Sequence, residues 1–136
     1  MAKYCVLVTA WGFLLYGLLF VVFPQEALQL VVQGKVSTRS EVIDLRATYG
    51  GMTIGLGLIL FVLANNVSTI KIGLLAIFIV MLCMALSRMI GMVIDGEPNQ
   101  LMYIYLALEL SACALSWLLL RAAKRHEQSH SLNWDY

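Results

Sequence analysis

The chain has 136 residues, of which 61% are hydrophobic and 12% charged, and its net charge is +1. A soluble domain carries about 25% charged residues, so this chain lacks the charge to cover a water-exposed surface. It reads as an integral membrane protein one domain long. With no basic patch interleaved with aromatics, the near-neutral balance excludes nucleic acid as a partner.

Four apolar runs follow in chain order. The first spans about residues 4–23 and ends at Pro24. It is longer than a signal-peptide core and no small-x-small cleavage pattern follows, so it is expected to be a retained helix. The link PQEALQLVVQGKVSTRSE comes next, and EALQLVVQ within it is amphipathic enough for a short helix lying at the membrane surface. The second run extends from about Val42 or Arg46 to Ala64. NNVST makes a tight turn in which Ser68 or Thr69 is expected to cap the third run, about residues 70–94. DGEPNQ turns at Gly96 and Pro98 into the fourth, about residues 101–120. Each run approaches the ~20 residues a helix needs to cross a ~30 Å hydrocarbon core, and helix is the form that satisfies its own backbone in lipid. RAAKRHEQSHSLNWDY is a polar tail, expected to prolong the last helix and then fray. The expected fold is therefore all-α. A bundle of four transmembrane helices occupies residues 1–121 and a polar cytoplasmic tail residues 122–136.

Lys and Arg set the orientation. Four spans place both termini and the NNVSTIK turn on one side, with Lys3, Lys71, Arg121, Lys124 and Arg125. The opposite links hold Lys35 and Arg39 but also Glu26, Glu41, Asp95 and Glu97. Both termini are expected in the cytoplasm, with the long first link and DGEPNQ outside.

At ~1.5 Å per residue, Arg46 falls roughly 6–8 Å below the outer end of its span, Arg88 roughly 9 Å and Glu109 roughly 12 Å. A charge near the bilayer centre costs about 2.5–3.5 kcal/mol on insertion scales. Three at similar depth are expected to compensate one another, with Glu109 ionised between Arg46 and Arg88. Asp44 and Asp95 lie nearer the surface and Tyr49 and Tyr105 within reach, as outer members of one polar cluster. The stripes Arg46–Gly50–Thr53–Gly57, Met84–Arg88–Gly91–Asp95 and Tyr105–Glu109–Ala112–Ser116 follow helical spacing and are small or polar, as inward faces are. Gly50, Gly51, Gly55, Gly57 and Gly91 are expected at helix contacts, and GMTIG matches the small-xxx-small pattern. Two plainer readings stand beside this: Arg46 snorkels to the headgroups, or the cluster only fixes helix register.

Much chemistry is missing. His126 and His130 lie in the tail, so no transmembrane histidine can hold a b-type haem and no metal site is expected. Cys5, Cys83 and Cys113 sit inside apolar runs, odd in number and widely spaced, and read as small core or lipid-facing residues. There is no HExxH, Walker A or GxSxG pattern, and Ser87 and Ser111 have no histidine to activate them. No cofactor is expected.

At LRATYGGMTIGLGL, SRMIGMVIDGEP and LALELSACALSWLLLR the chain resembles the small bacterial four-helix membrane proteins grouped as domain of unknown function 4345. The resemblance covers roughly Trp11 to Arg121. It rests on Arg46 before Gly50 and Gly51, on Arg88 before Gly91, Asp95 and Gly96, and on Glu109. It implies the four-helix architecture, with no activity to carry over, and places the chain in a bacterial cytoplasmic membrane that it crosses several times.

Three functions compete. The favoured one is a non-catalytic accessory or structural subunit, packed in the bilayer beside another membrane protein or a second copy. The next is a binding protein or small carrier in which Arg46 and Arg88 hold an anionic, quinone-like or lipid-like ligand. The third is a membrane enzyme using Glu109 as acid or base.

Overall fold

The computed structural model describes the backbone of residues 1–131 and the side chains of residues 1–123. The side chains of His126 and His130 and the end of the tail lie outside the described residues. The chain is all-helical: α1 (Ala2–Val22), α2 (Pro24–Val32), α3 (Arg39–Leu45), α4 (Met52–Asn65), α5 (Ile70–Ile94) and α6 (Gln100–Ser131). A wide π-helical turn, Arg46–Gly51, joins α3 to α4 into one rod, and a short 3₁₀ turn, Val67–Thr69, precedes α5. Four helices are long and apolar enough to cross a membrane, namely Ala2–Val22, Arg39–Asn65, Ile70–Ile94 and the Gln100–Ala123 part of α6. This is a multi-pass membrane protein.

The bundle is built from two close pairs. α1 lies antiparallel against α4, and α5 against α6. Glycine makes the first pair possible. A Cβ on Gly57 would stand 2.9 Å from the Ala10 carbonyl and 2.8 Å from Leu14 Cγ, and one on Gly17 would stand 2.7 Å from the Gly50 carbonyl. Gly50 is likewise pressed on Val21. Gly51, Gly55 and Gly91 were expected at such contacts too, and they lie elsewhere. Gly55 has no atom beyond its own stretch of helix within 4 Å of its Cβ position, and Gly51 and Gly91 meet only Arg46 and Asp95 of their own helical rods. Successive residues of a helix step round by about 100°, so one or two positions along from Gly50 or Gly57 is already another face.

Two apolar clusters fill the interior. Val6, Ala10, Phe13, Leu60, Ala64, Leu74 and Ile77 pack toward the end that carries the N-terminus. Phe20, Ala27, Val31 and Leu45 pack at the opposite, link end, backed by Tyr16, Met102 and Tyr105. The second cluster depends on α2. Pro24 opens that helix where no intrahelical N–H is needed, and Ala27 and Val31 turn inward over Phe20. The helix stops at Gln33, which takes a left-handed conformation with φ 58°. EALQLVV is thus helical, and it packs with Phe20 and Leu45 at the link end of the bundle.

Polar residues finish the helix ends. The second span begins at Arg39, earlier than the apolar pattern places it, because Thr38 and Glu41 form a capping box. Thr38 Oγ1 accepts the Glu41 N–H at 3.3 Å, and Glu41 Oε2 accepts the N–H of Ser37 at 2.6 Å and of Thr38 at 3.3 Å. Asn99 does the same for α6 and more: its side-chain oxygen accepts the Met102 N–H at 3.1 Å, while its amide donates to the Val31 carbonyl at 2.9 Å, tying α2 to α6. The expected cap of α5 takes a different form. Thr69 donates to the Leu63 carbonyl at 2.8 Å, and Asn66 Oδ1 accepts from Ser68 N–H at 3.1 Å, so these residues close the preceding turn.

The glycine contacts yield a contrast. Gly17→Leu and Gly57→Leu force α1 off α4 and are expected to destabilise by about 1–3 kcal/mol or more. Gly55→Ala, facing open space, is expected to be neutral or to stabilise by about 0.5–1 kcal/mol. Thermal unfolding in detergent, followed by circular dichroism, separates the two classes.

Candidate functional site

α5 and α6 bring Arg88 and Glu109 together in the link half of the bundle. Arg88 lies six residues before the end of α5 and Glu109 nine residues after the start of α6, so both sit roughly 9–14 Å below that end. Arg88 Nη2 donates to Glu109 Oε1 at 2.5 Å, and Nε donates to Oε1 at 3.2 Å and Oε2 at 3.0 Å. Glu109 is 5% exposed. Side by side in this way, guanidinium and carboxylate meet as a fork, the strongest geometry open to the pair. Arg88 Nη1 points the other way, to Met102 Sδ at 3.2 Å, and the guanidinium lies over the Tyr105 ring at 5.3 Å from its centroid.

An aromatic row continues from this pair. Tyr105 meets Tyr16 edge-on with ring centres 6.4 Å apart, Tyr16 packs on Phe20 at 5.0 Å, and Phe20 stacks on Tyr49 at 5.3 Å. Tyr105 touches the ion pair directly; Tyr49 stands at the far end of the row, two rings removed.

Arg46 does not join Glu109. It is exposed and donates from Nη1 to the Val21 carbonyl at the end of α1. Its departure from the expected triad has a local cause. The turn Arg46–Gly51 is wide, with the Met52 N–H bonded to the Ala47 carbonyl five residues back. Such a turn takes up one extra residue, so what precedes it is rotated by about 100° relative to a regular helix. Gly50, Thr53 and Gly57 keep the inward face while Arg46 leaves it. Thr53 serves the turn itself, donating to the Tyr49 carbonyl and lying 3.0 Å from the Gly50 carbonyl. Asp44 also stays outside, accepting from the Thr48 hydroxyl at 3.3 Å, and Asp95 is exposed beyond the end of α5.

A cavity of about 330 Å³ opens beside the ion pair. Tyr16, Thr53, Met84, Arg88, Tyr105 and Glu109 are among its walls, and the rest is almost wholly apolar. A second space of about 560 Å³ runs on between α1 and α6 toward the other end, past Tyr4, Val8, Leu115 and Leu119. The two share Thr9, Leu108 and Ala112. Together they trace a seam where α1 and α6 meet only loosely. Val8 is 72% and Leu108 61% exposed, so the seam faces outward from the bundle, toward lipid.

Sequence reasoning passed over Tyr16, Met102 and Gly17. Tyr16 follows Phe13 by three and precedes Phe20 by four, which places it on the inward stripe of α1. Met102 precedes Glu109 by seven, two turns along the same face. Both signals are positional and neither residue is charged, so nothing marked them as neighbours of Arg88.

A helical membrane bundle with an ion pair of a buried carboxylate and a partly buried guanidinium beside a lipid-facing seam is the class of protein that this geometry defines. The chain belongs to the family described as Domain of unknown function (DUF4345), whose model matches residues 1–120. No curated protein and no solved structure matches the chain.

Removing one member of the pair strands the other in an apolar interior, a change worth about 3–5 kcal/mol. Arg88→Met and Glu109→Leu are each expected to lower stability by that order. The double variant, which removes both charges and keeps the volume, is expected to recover most of the loss. Unfolding of the three variants in detergent gives the coupling directly.

Proposed function

We propose that this protein holds a lipid-like molecule in the seam between α1 and α6, with Arg88, Glu109, Tyr16 and Tyr105 at the polar end of the site. The continuity of the two spaces carries the reading. A pocket that is mostly apolar, with a few converging polar groups at one end, is the usual form of a small-molecule site. Here it is long and open sideways, with its polar end in the half of the bundle that α2 covers. The apolar walls suit a tail, and the polar end suits a head. The acid–base reading of Glu109 gains nothing from this arrangement, since both carboxylate oxygens are engaged by the guanidinium.

Native mass spectrometry of the gently extracted protein tests the proposal. One lipid-like molecule per chain is expected on the wild type. Ala112→Trp, which fills the shared wall of both spaces, is expected to release it. A wild-type chain that emerges bare, indistinguishable from the variant, overturns the reading.

A second reading, the non-catalytic accessory subunit, has its own support. Gly51, the last residue of the π-helical turn, and Gly55 of α4 make a GxxxG pair that no other helix presses upon, amid exposed Met52, Ile59 and Val62. Close helix–helix approach in membranes uses such faces. A stoichiometric protein companion or a dimer in the same spectra supports it.

For orientation, we infer that both termini are cytoplasmic, from the Lys and Arg bias of the links. The α2 end then faces outward and α2 lies at that membrane surface. With Cys5, Cys83 and Cys113 replaced by alanine, Ser37→Cys is expected to react with a membrane-impermeant maleimide in intact cells. Val67→Cys is expected to react only after lysis, and the reverse pattern inverts the topology.

A further inference from the structure

We infer that the head of the bound molecule is uncharged and carries carbonyl oxygens, as a quinone or a fatty ester does. This rests on the seam reading above and names its ligand class. Two observations lead there. First, the charge of the site is already balanced. Arg88 is the cation of the cavity wall, and Glu109 neutralises it through three hydrogen bonds. Arg46, the second cation that an anionic head would need, is outside, bonded to the Val21 carbonyl. An anion entering the cavity would meet a carboxylate as well as a guanidinium, and it would have to leave water for a depth of roughly 9–14 Å. Charged groups pay heavily for that depth.

Second, the site holds unclaimed donors, and its one carboxylate is already engaged by the arginine. A guanidinium has five N–H groups. Those of Arg88 are directed to Glu109 and Met102, which leaves one on each terminal nitrogen. Tyr16 and Tyr105 line the cavity, and neither hydroxyl has a protein partner among the described residues. The other hydroxyls in the wall are committed: Thr9 donates to the Cys5 carbonyl at 3.0 Å and Thr53 to the carbonyls of its own turn. Both carboxylate oxygens of Glu109 are occupied by the arginine. A neutral head with acceptor oxygens satisfies the phenols and the spare N–H groups without disturbing the ion pair. Its tail then follows the seam from Glu109 toward Leu119, ten residues or roughly 15 Å along α6.

The test uses wild-type protein in nanodiscs and three probes of similar tail length: a decyl-substituted benzoquinone, monolauroyl glycerol and dodecanoate. Isothermal titration calorimetry is expected to show one site for the neutral probes, with dodecanoate at least tenfold weaker. Whichever neutral probe binds more tightly identifies the source of the carbonyl. Tyr16→Phe and Tyr105→Phe, with unfolding temperatures unchanged, are each expected to weaken the neutral probes by roughly threefold to tenfold. Dodecanoate binding as tightly as the neutral probes overturns the head assignment and leaves the seam reading standing. Binding of no probe, together with a bare wild-type chain in native mass spectrometry, overturns both.

Discussion

A buried carboxylate and a partly buried guanidinium among apolar helices bind the two members of the α5–α6 pair to one register. In a medium of low dielectric, neither charge is tolerable alone, and the partner must be in reach whenever the helices are packed. Arg88 and Glu109 meet that demand through a forked contact that tolerates little sliding of α5 against α6. The α1–α4 pair is held by the opposite means. There the small size of Gly17, Gly50 and Gly57 lets backbones touch, and any side chain larger than hydrogen separates them. One half of the bundle is registered by charge and the other by shape.

The ends of the helices explain polar residues that the span pattern alone leaves odd. Glu41, Asp44 and Arg46 open an apolar segment, and each has a local task. Glu41 completes a capping box, Asp44 accepts from Thr48, and Arg46 donates to the last turn of α1. A helix end near lipid has few water molecules to satisfy its carbonyls, so side chains must supply donors. Asn99 works in the same way between α2 and α6. These contacts staple the link end together and hold α2 over the aromatic row.

What could be read from the sequence follows from how local each cause is. The spans and their turns were legible because apolar length reports directly on the bilayer, and the third span runs over Ile70–Ile94 in the structure. Arg88 and Glu109 were legible by depth, since equal distance from one membrane face is a one-dimensional quantity. Arg46 passed the same depth argument and still belongs elsewhere, because depth says nothing about azimuth. The azimuth is set by a π-helical turn that no residue in RATYGG announces. The glycines show a similar limit. Gly50 and Gly55 are alike in sequence, and only the placement of α1 decides which one is pressed upon. Tyr16 stayed hidden because an aromatic on an inward stripe is ordinary until a neighbouring helix presents an arginine.

The unequal closeness of the helix pairs also decides where the molecule can give. Separating α1 from α4 opens backbone contacts across glycine, and separating α5 from α6 exposes an ion pair to lipid. Parting α1 from α6 does neither, since the groups along that line are Thr9, Leu108, Ala112, their apolar neighbours and, at the link end, the edge-on contact of Tyr16 with Tyr105. The link end is closed above it by Phe20, Ala27 and Val31, with Met102 and Tyr105 beneath them. The seam is therefore the side on which the cavity faces the hydrocarbon, while the stapled end is shut. A molecule reaching Arg88 by that route arrives tail and head together from within the bilayer. Its solvent before binding is lipid, so the ion pair has no hydration shell of the ligand to compete with. For the ligand proposed above, two phenols and two spare N–H groups would then orient a carbonyl head, where in water they would add little to affinity.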